Sequence, residues 1–442
     1  MVESPQSQNA LSIEELHEAW PVLSPDERIE GFRLLPPAVA DDFFLDLSAR
    51  DQADLILSLP PGERRTWVRL LPPDDLADLV QAVEPEQAEA ILSQLDDMSR
   101  REVNVLLAYA EDDAGGLMNP RFARVRPEMS IDEAIGYLRK QAREKVETVY
   151  YAYALDAEQH VVGVLSLRQL FQAAPDKKVA DVMQRDVRVV AENTDQEAVS
   201  RLITEHGLMA LPVVDEHNRM KGIVTVDDIV DVVQEEATED IQKVGGMEAL
   251  DAPYFEVGFF AMLRKRAGWL MVLFLGEMLT ATAMGYFEHE IARAVVLSLF
   301  IPLIISSGGN SGSQATTLII RSLALSEMRL KDWWRVARRE LGTGLALGTI
   351  LGLVGLTRVM VWQTLFNSYG QHALLVALTV GASLVGVVMF GTLSGSMLPF
   401  ILRRVGFDPA SASAPFVATL VDVTGLIIYF TVASLILRGT LL

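Results

Sequence analysis

The chain has 442 residues, 50% of them hydrophobic, with 59 acidic against 38 basic side chains and a net charge of −21. Cysteine is absent, which excludes disulfides and thiolate metal sites and leaves any metal to oxygen or imidazole ligands. The charge is divided: from Arg264 onward 14 basic residues stand against 8 acidic, a net of +6, which puts −27 on residues 1–263 and leaves no basic stripe for nucleic acid.

No charged segment, apolar run and small-residue cleavage site open the sequence, so the acidic half is expected to stay on the side where it is made. Residues 1–118 read as all-helical. Leu35-Pro36-Pro37, Leu59-Pro60-Pro61 and Leu71-Pro72-Pro73 each end one short helix and start another. Their spacing of 24 and then 12 residues suggests short helices stacked in a superhelix. Acidic residues decorate it, Asp74, Asp75, Asp78 and Glu84 among them, and each alone reads as a solvated surface charge.

From Asn119 to about Val233 the text changes to α/β. β-branched runs such as Thr148–Tyr151 and Leu211–Val214 alternate with helical stretches, and the segment repeats itself. Ser130-Ile131-Asp132-Glu133-Ala134 recurs as Thr194-Asp195-Gln196-Glu197-Ala198, and Asp156 with Gly163–Ser166 recurs 59 residues later as Asp215 with Gly222–Thr225. Two units this small should pack on each other, over 119–180 and 181–233. They resemble a tandem pair of CBS (cystathionine-β-synthase-type) domains. In that family a Thr-x-x-Asp pair at the strand-to-helix junction holds the phosphate and ribose of an adenine nucleotide such as ATP. Thr225 and Asp228 match it in the second copy, whereas the first copy departs with Ser166 and Gln169. The local alternative is a helix N-cap at Thr225 with Asp228 as its capping-box partner.

Residues 234–266 read as a linker helix, acidic at Glu235, Glu236, Glu239, Asp240, Glu248, Asp251 and Glu256, with Gly245-Gly246 able to break it. Five apolar spans follow at about 268–287, 294–320, 341–366, 374–402 and 415–437, each long enough to cross a bilayer. Basic residues between spans two and three, and Arg403-Arg404 between four and five, put those loops and the N-terminal domains in the cytoplasm and the C-terminus outside. The last span, Ala414–Leu437, carries Asp422 near its middle. A charge there costs at least ~2.5 kcal/mol on insertion scales, so it faces protein or water rather than lipid. Glu277 in the first span is a second buried acid, or alternatively one near the membrane interface. In the second span Gly308, Gly309, Asn310 and Gly312 read as an interruption whose exposed backbone lines a polar path, or alternatively as small residues for close helix crossing.

The order of these parts, with Gly308-Gly309-Asn310-Ser311-Gly312-Ser313-Gln314 and Pro415-Phe416 leading to Asp422-Val423-Thr424-Gly425, resembles the MgtE family of magnesium channels over nearly the whole chain. The resemblance implies a multidomain membrane protein: an all-α superhelical N-terminal domain, an α/β CBS pair, a long linker (plug) helix and, over 267–442, a pore domain of five transmembrane helices. It also implies a homodimer in the plasma (inner) membrane, with the pore on the two-fold axis. There Asp422 would face a hydrated Mg²⁺ and Ala418 would line the path. The regulatory Mg²⁺ ligands by matching position are Asp215, Glu216, Asp240, Glu248 and Asp408, in a mechanism where cytosolic Mg²⁺ bridges acidic surfaces and closes the pore. No enzyme activity is expected. The rival readings are a secondary transporter coupling a divalent cation to H⁺ or Na⁺, and a membrane-anchored nucleotide or metal sensor.

Overall fold

A computed structural model describes residues 13–441, apart from Lys145, Asp251, Pro253, Glu256 and Ser326. The acidic positions Asp251 and Glu256 of the linker therefore lie outside the described residues. The chain forms two compact units, residues 1–234 and 235–442.

In the first unit short helices follow one another from Ile13 to Leu106, and the paired prolines act as the sequence suggests. Pro37, Pro61 and Pro73 each sit in the first turn of a helix, where a missing N–H costs nothing. One of these helices, Pro73–Gln81 (α1), buries Leu76, Leu79 and Val80 on one face. Phe43, Phe44, Ile56 and Leu106 fill the same core, which runs on into the second α/β repeat through Val213 and Val224.

The two repeats are built alike. Strands Arg124–Val125 (β1), Tyr151–Leu155 (β2) and Val161–Ser166 (β3) form one three-stranded sheet, and Val190–Ala191 (β4), Ala210–Val214 (β5) and Met220–Thr225 (β6) form another. In each, the first strand is parallel and the third antiparallel to the middle one. The register slips at Ala154/Leu155 and again at Val213/Val214, at the 59-residue spacing seen in the sequence. Tyr153, Leu155, Ala210, Met220 and Ile223 make a core shared by both sheets, as two units of this size require.

The expected linker helix differs in its limits. A helix starts at Val226, directly after β6, and ends at Val244 (α2). Gly246 then takes φ +77°, a left-handed conformation that terminates a helix and is open to glycine. The aromatic stretch beyond belongs to the next helix, Phe259–Tyr286 (α3), so residues 234–266 are not one continuous helix.

Four more long helices complete the second unit: Ile301–Ala324 (α4), Trp333–Phe366 (α5), Ala373–Val405 (α6) and Ala414–Leu437 (α7). With α3 they give five helices among the described residues long and apolar enough to span a membrane. Helices α3 and α5 begin well before the expected spans and take the basic residues at 264–266 and 335–339 with them. Their apolar stretches continue as helix beyond the hydrocarbon, where Lys and Arg reach polar surroundings.

Helix α4 is unbroken through Gly308, Gly309, Asn310 and Gly312, so the expected interruption is corrected. Its glycines serve helix contact. A Cβ on Gly308 would lie 2.5 Å from Val387 Cγ1 and 2.8 Å from Val421 Cγ1, and one on Gly312 would lie 2.7 Å from Val417 Cγ1. Facing them on α6, Gly391 and Gly395 meet the Gly308 and Gly312 carbonyls so closely that a side chain at either would overlap them. Four-residue spacing of small residues on both helices lets the backbones touch. Ser311 Oγ and Thr392 Oγ1, 2.7 Å apart, and Thr316 Oγ1 donating to the Gly395 carbonyl at 2.8 Å add polar contacts across the same seam.

Candidate functional site

Two sets of carboxylates stand out, one in each unit. In the first unit, α1 begins with Asp74 and Asp75, and its N-terminal end turns inward rather than to solvent. Asp74 is 5% exposed, which corrects its reading as a surface charge. The fully buried Asn119 amide donates to Asp74 Oδ1 at 3.0 Å and to Glu147 Oε2 at 2.7 Å. Asp228 joins them from the first turn of α2, with Asp227 and Asp231 nearby. Arg121 is close, but its guanidinium is held by Glu102 at 2.6 Å and Ser99 at 3.1 Å.

The electrostatic cost is legible in the acids. Burial first, then the Glu147, Asp227 and Asp231 carboxylates, push Asp75 up to about 6. Burial and the neighbouring Asp228 and Asp75 push Asp74 far above the usual carboxylate range, and Glu147 rises through burial and Asp228. Asp74 is buried, Asp75 and Asp228 are half-buried and Glu147 is exposed, and carboxylates crowded in this way favour whatever brings positive charge, a proton or a metal cation. Oxygen-only donors of this kind suit a hard divalent ion. The sequence signal was the pair Asp74-Asp75 at a helix N-terminus just ahead of Leu76; what it lacked was the knowledge that another domain closes over that end.

Thr225 and Asp228 adopt the capping arrangement: the Thr225 amide and hydroxyl donate to Asp228 Oδ2 at 3.1 and 2.7 Å. Ser166 and Gln169 repeat it in the first copy. With Asp74 and Glu147 beside it, Asp228 offers an acceptor for a sugar hydroxyl but repels a phosphate unless a cation accompanies it. Asp215 closes the β5–β6 hairpin. Its Oδ1 accepts from the His217 and Arg219 amides at 2.9 and 2.8 Å, and Lys221 lies 3.4 Å from its Oδ2. Asp156 makes the equivalent turn with Glu158 and His160. Glu216 is exposed beside His217. The structure therefore does not bring Asp215 and Glu216 into the Asp74 group.

In the second unit the end of α2 is fastened to the turn before α7. Lys243 pairs with Glu239 and donates to Asp408 Oδ2 at 2.6 Å. Burial opposes its charge, but the two carboxylates outweigh that and hold Lys243 above its ordinary range. Asp408 also caps the short turn that follows, accepting from the Ala410 amide at 2.8 Å. Gly246 packs on Trp269 and Pro415, and Trp269 Nε1 donates at 3.1 Å to Ser413 Oγ, the N-cap of α7. Asp240 is half-buried and Glu248 exposed on this segment.

Asp422 is half-buried on α7. Ala418, one turn earlier, lies under Gly309 of α4, whose Cβ position would be 3.6 Å away. Asn310 is exposed on the far side of α4, while Gly308, Gly309 and Gly312 are buried within the chain. Ala418 and Gly309 thus come together one turn from Asp422, and Asn310 does not join them.

Three family profiles match four stretches. The MgtE intracellular N domain matches residues 11–112, the CBS domain 114–176 and 179–235, and MgtE, a divalent cation transporter, 301–432. The magnesium transporter MgtE of Thermus thermophilus is 44% identical over 435 residues, covering 97% of this chain and 94% of that protein. That of Enterococcus faecalis is 34% identical over 337 residues, covering 76% and 72%. A solved structure, the cytosolic domain of the Mg²⁺ channel MgtE in complex with ATP, is 41% identical with a TM-score of 0.47, covering 50% of this chain and 90% of that one. On this full-length similarity, the chain belongs to the MgtE family of divalent cation transporters.

Proposed function

We propose that this transporter is a Mg²⁺-selective channel that admits the ion passively and that cytosolic Mg²⁺ closes. The 44% identity to a magnesium transporter over almost the entire chain supports the ion. The observation that carries the gating is the Asp74, Asp75, Glu147 and Asp228 group, in which acids outnumber the one nearby cation among the described residues, Arg121, itself bonded to Glu102. Metal-free, those carboxylates repel one another. A divalent cation between them replaces repulsion by attraction and so favours the assembled form. Asp215 and Glu216 on the first unit, and Asp240, Glu248 and Asp408 on the second, would add weaker sites.

The permeation path in this reading runs past Asp422, with Ala418 and Gly309 against it. A homodimer places two such carboxylates on one axis, enough to hold a hydrated Mg²⁺ without stripping its water. In this reading the chain sits in the inner membrane with its basic loops on the cytoplasmic side. The membrane potential supplies ~2.3 kcal/mol per charge per 100 mV, so uptake of a divalent cation needs no other energy source. An adenine nucleotide at Thr225 and Asp228 would enter with its cation, given the acids around that cap.

The test is Mg²⁺ flux into liposomes holding the full chain, with Mg²⁺ varied on the cytoplasmic side. Wild-type flux should fall as that Mg²⁺ rises, and Asp422→Ala should conduct poorly or lose selectivity. Flux that stops when a proton or sodium gradient is removed would instead support a coupled carrier.

A further inference from the structure

Helix α3 buries none of its 28 residues within the chain, so its sides face lipid or a second copy. Along one edge, however, it is polar and runs in step with α7. Trp269 donates to Ser413, a Cβ on Gly276 would stand 2.9 Å from Thr419 Cγ2, and the next residue, Glu277, brings its carboxyl beside that of Asp422. These contacts advance together along both helices, so α3 and α7 are parallel there. Among the described residues neither carboxyl has a Lys, Arg or His in ion-pair contact. Three residues past Glu277, the Thr280 hydroxyl is buried with no hydrogen-bond partner among the described residues. A buried polar group in that condition marks a place where water or a hydrated ion completes the bonding.

We propose that Glu277 is a second ion-contacting carboxylate of the permeation path and fixes the preference for a divalent over a monovalent cation. This rests on reading Asp422 as the pore carboxylate. The physical reason is charge. The attraction of a site for an ion scales with the product of site and ion charge, so each added carboxylate stabilises a 2+ ion by twice the energy it gives a 1+ ion. Two carboxylates per chain also accept hydrogen bonds from the water Mg²⁺ retains.

The experiment measures Mg²⁺ and Na⁺ flux under equal gradients for the full chain in liposomes, as wild type, Glu277→Gln, Glu277→Asp and Asp422→Asn. Thermal unfolding in detergent accompanies each. Glu277→Gln keeps a side chain able to hydrogen-bond Asp422, so a fastening role survives it. The Mg²⁺-over-Na⁺ ratio in that variant should drop about tenfold, the scale of one charge-assisted contact, with Glu277→Asp recovering most of it. If Asp422→Asn lowers the ratio and Glu277→Gln does not, Glu277 only joins the helices and the inference is overturned. If Asp422→Asn itself behaves as wild type, the pore reading fails first and Glu277 falls with it.

Discussion

Replacing Asp75 by Asn tests the acidic group of the first unit most directly. Asp75 titrates near 6 in the folded chain against an ordinary 3.8, chiefly through burial and then through Glu147, Asp227 and Asp231. The folded form thus holds its proton more tightly than the unfolded chain. Below about pH 3 both forms are protonated and the site costs nothing. As pH rises the unfolded chain ionises first, and the folded state loses stability until about pH 7, where the full cost is ~3 kcal/mol. Asparagine removes that cost but gives up the favourable placement of a carboxylate in the first turn of α1, worth ~0.5 kcal/mol. The metal-free variant should therefore be more stable by ~2 kcal/mol at pH 7.5, with the gap closing towards pH 4. Urea unfolding of residues 1–246 in EDTA, which retain the first unit's own cores and the whole of α2, measures this. Saturating Mg²⁺ should stabilise wild type more than the variant. A variant no more stable than wild type at pH 7.5, or a gap that ignores pH, would refute the reasoning.

Two further outcomes follow from the second unit. Gly391→Ala would drive a methyl into the Gly308 carbonyl at the α4–α6 crossing. It should cost ~1–3 kcal/mol, read as a lower unfolding temperature in detergent, and an unchanged temperature would contradict the backbone contact. Lys243→Gln leaves Glu239 and Asp408 facing each other without a cation. A double-mutant cycle with Asp408→Asn should give a coupling of up to ~1 kcal/mol, since both groups are partly exposed, and hydrogen exchange in the last turns of α2 should quicken. Zero coupling would mean that the pairing does not hold the linker end.

Much of this protein was legible in its sequence because the signals are local. A proline pair stops one helix and starts another whatever surrounds it, and a 59-residue recurrence of Asp, Gly-x-x-Ser/Thr and a helix start dictates two like units, down to the paired turns at Asp156 and Asp215. Twenty apolar residues read as a membrane span by length alone, and an acid at position 422 is conspicuous there because its cost does not depend on neighbours. The tertiary structure decided what depends on contact between distant segments. Gly308 and Gly312 look like a helix break until Gly391 and Gly395 of α6 fit against them and turn the same residues into a packing seam. Asp74 looks like one of many surface acids until Asn119, Glu147 and Asp228 surround it. Glu277 becomes the neighbour of Asp422 when α3 lies along α7. A sequence displays the identity of a charge, but its energy is set by burial and by the charges brought beside it, and only the fold supplies those.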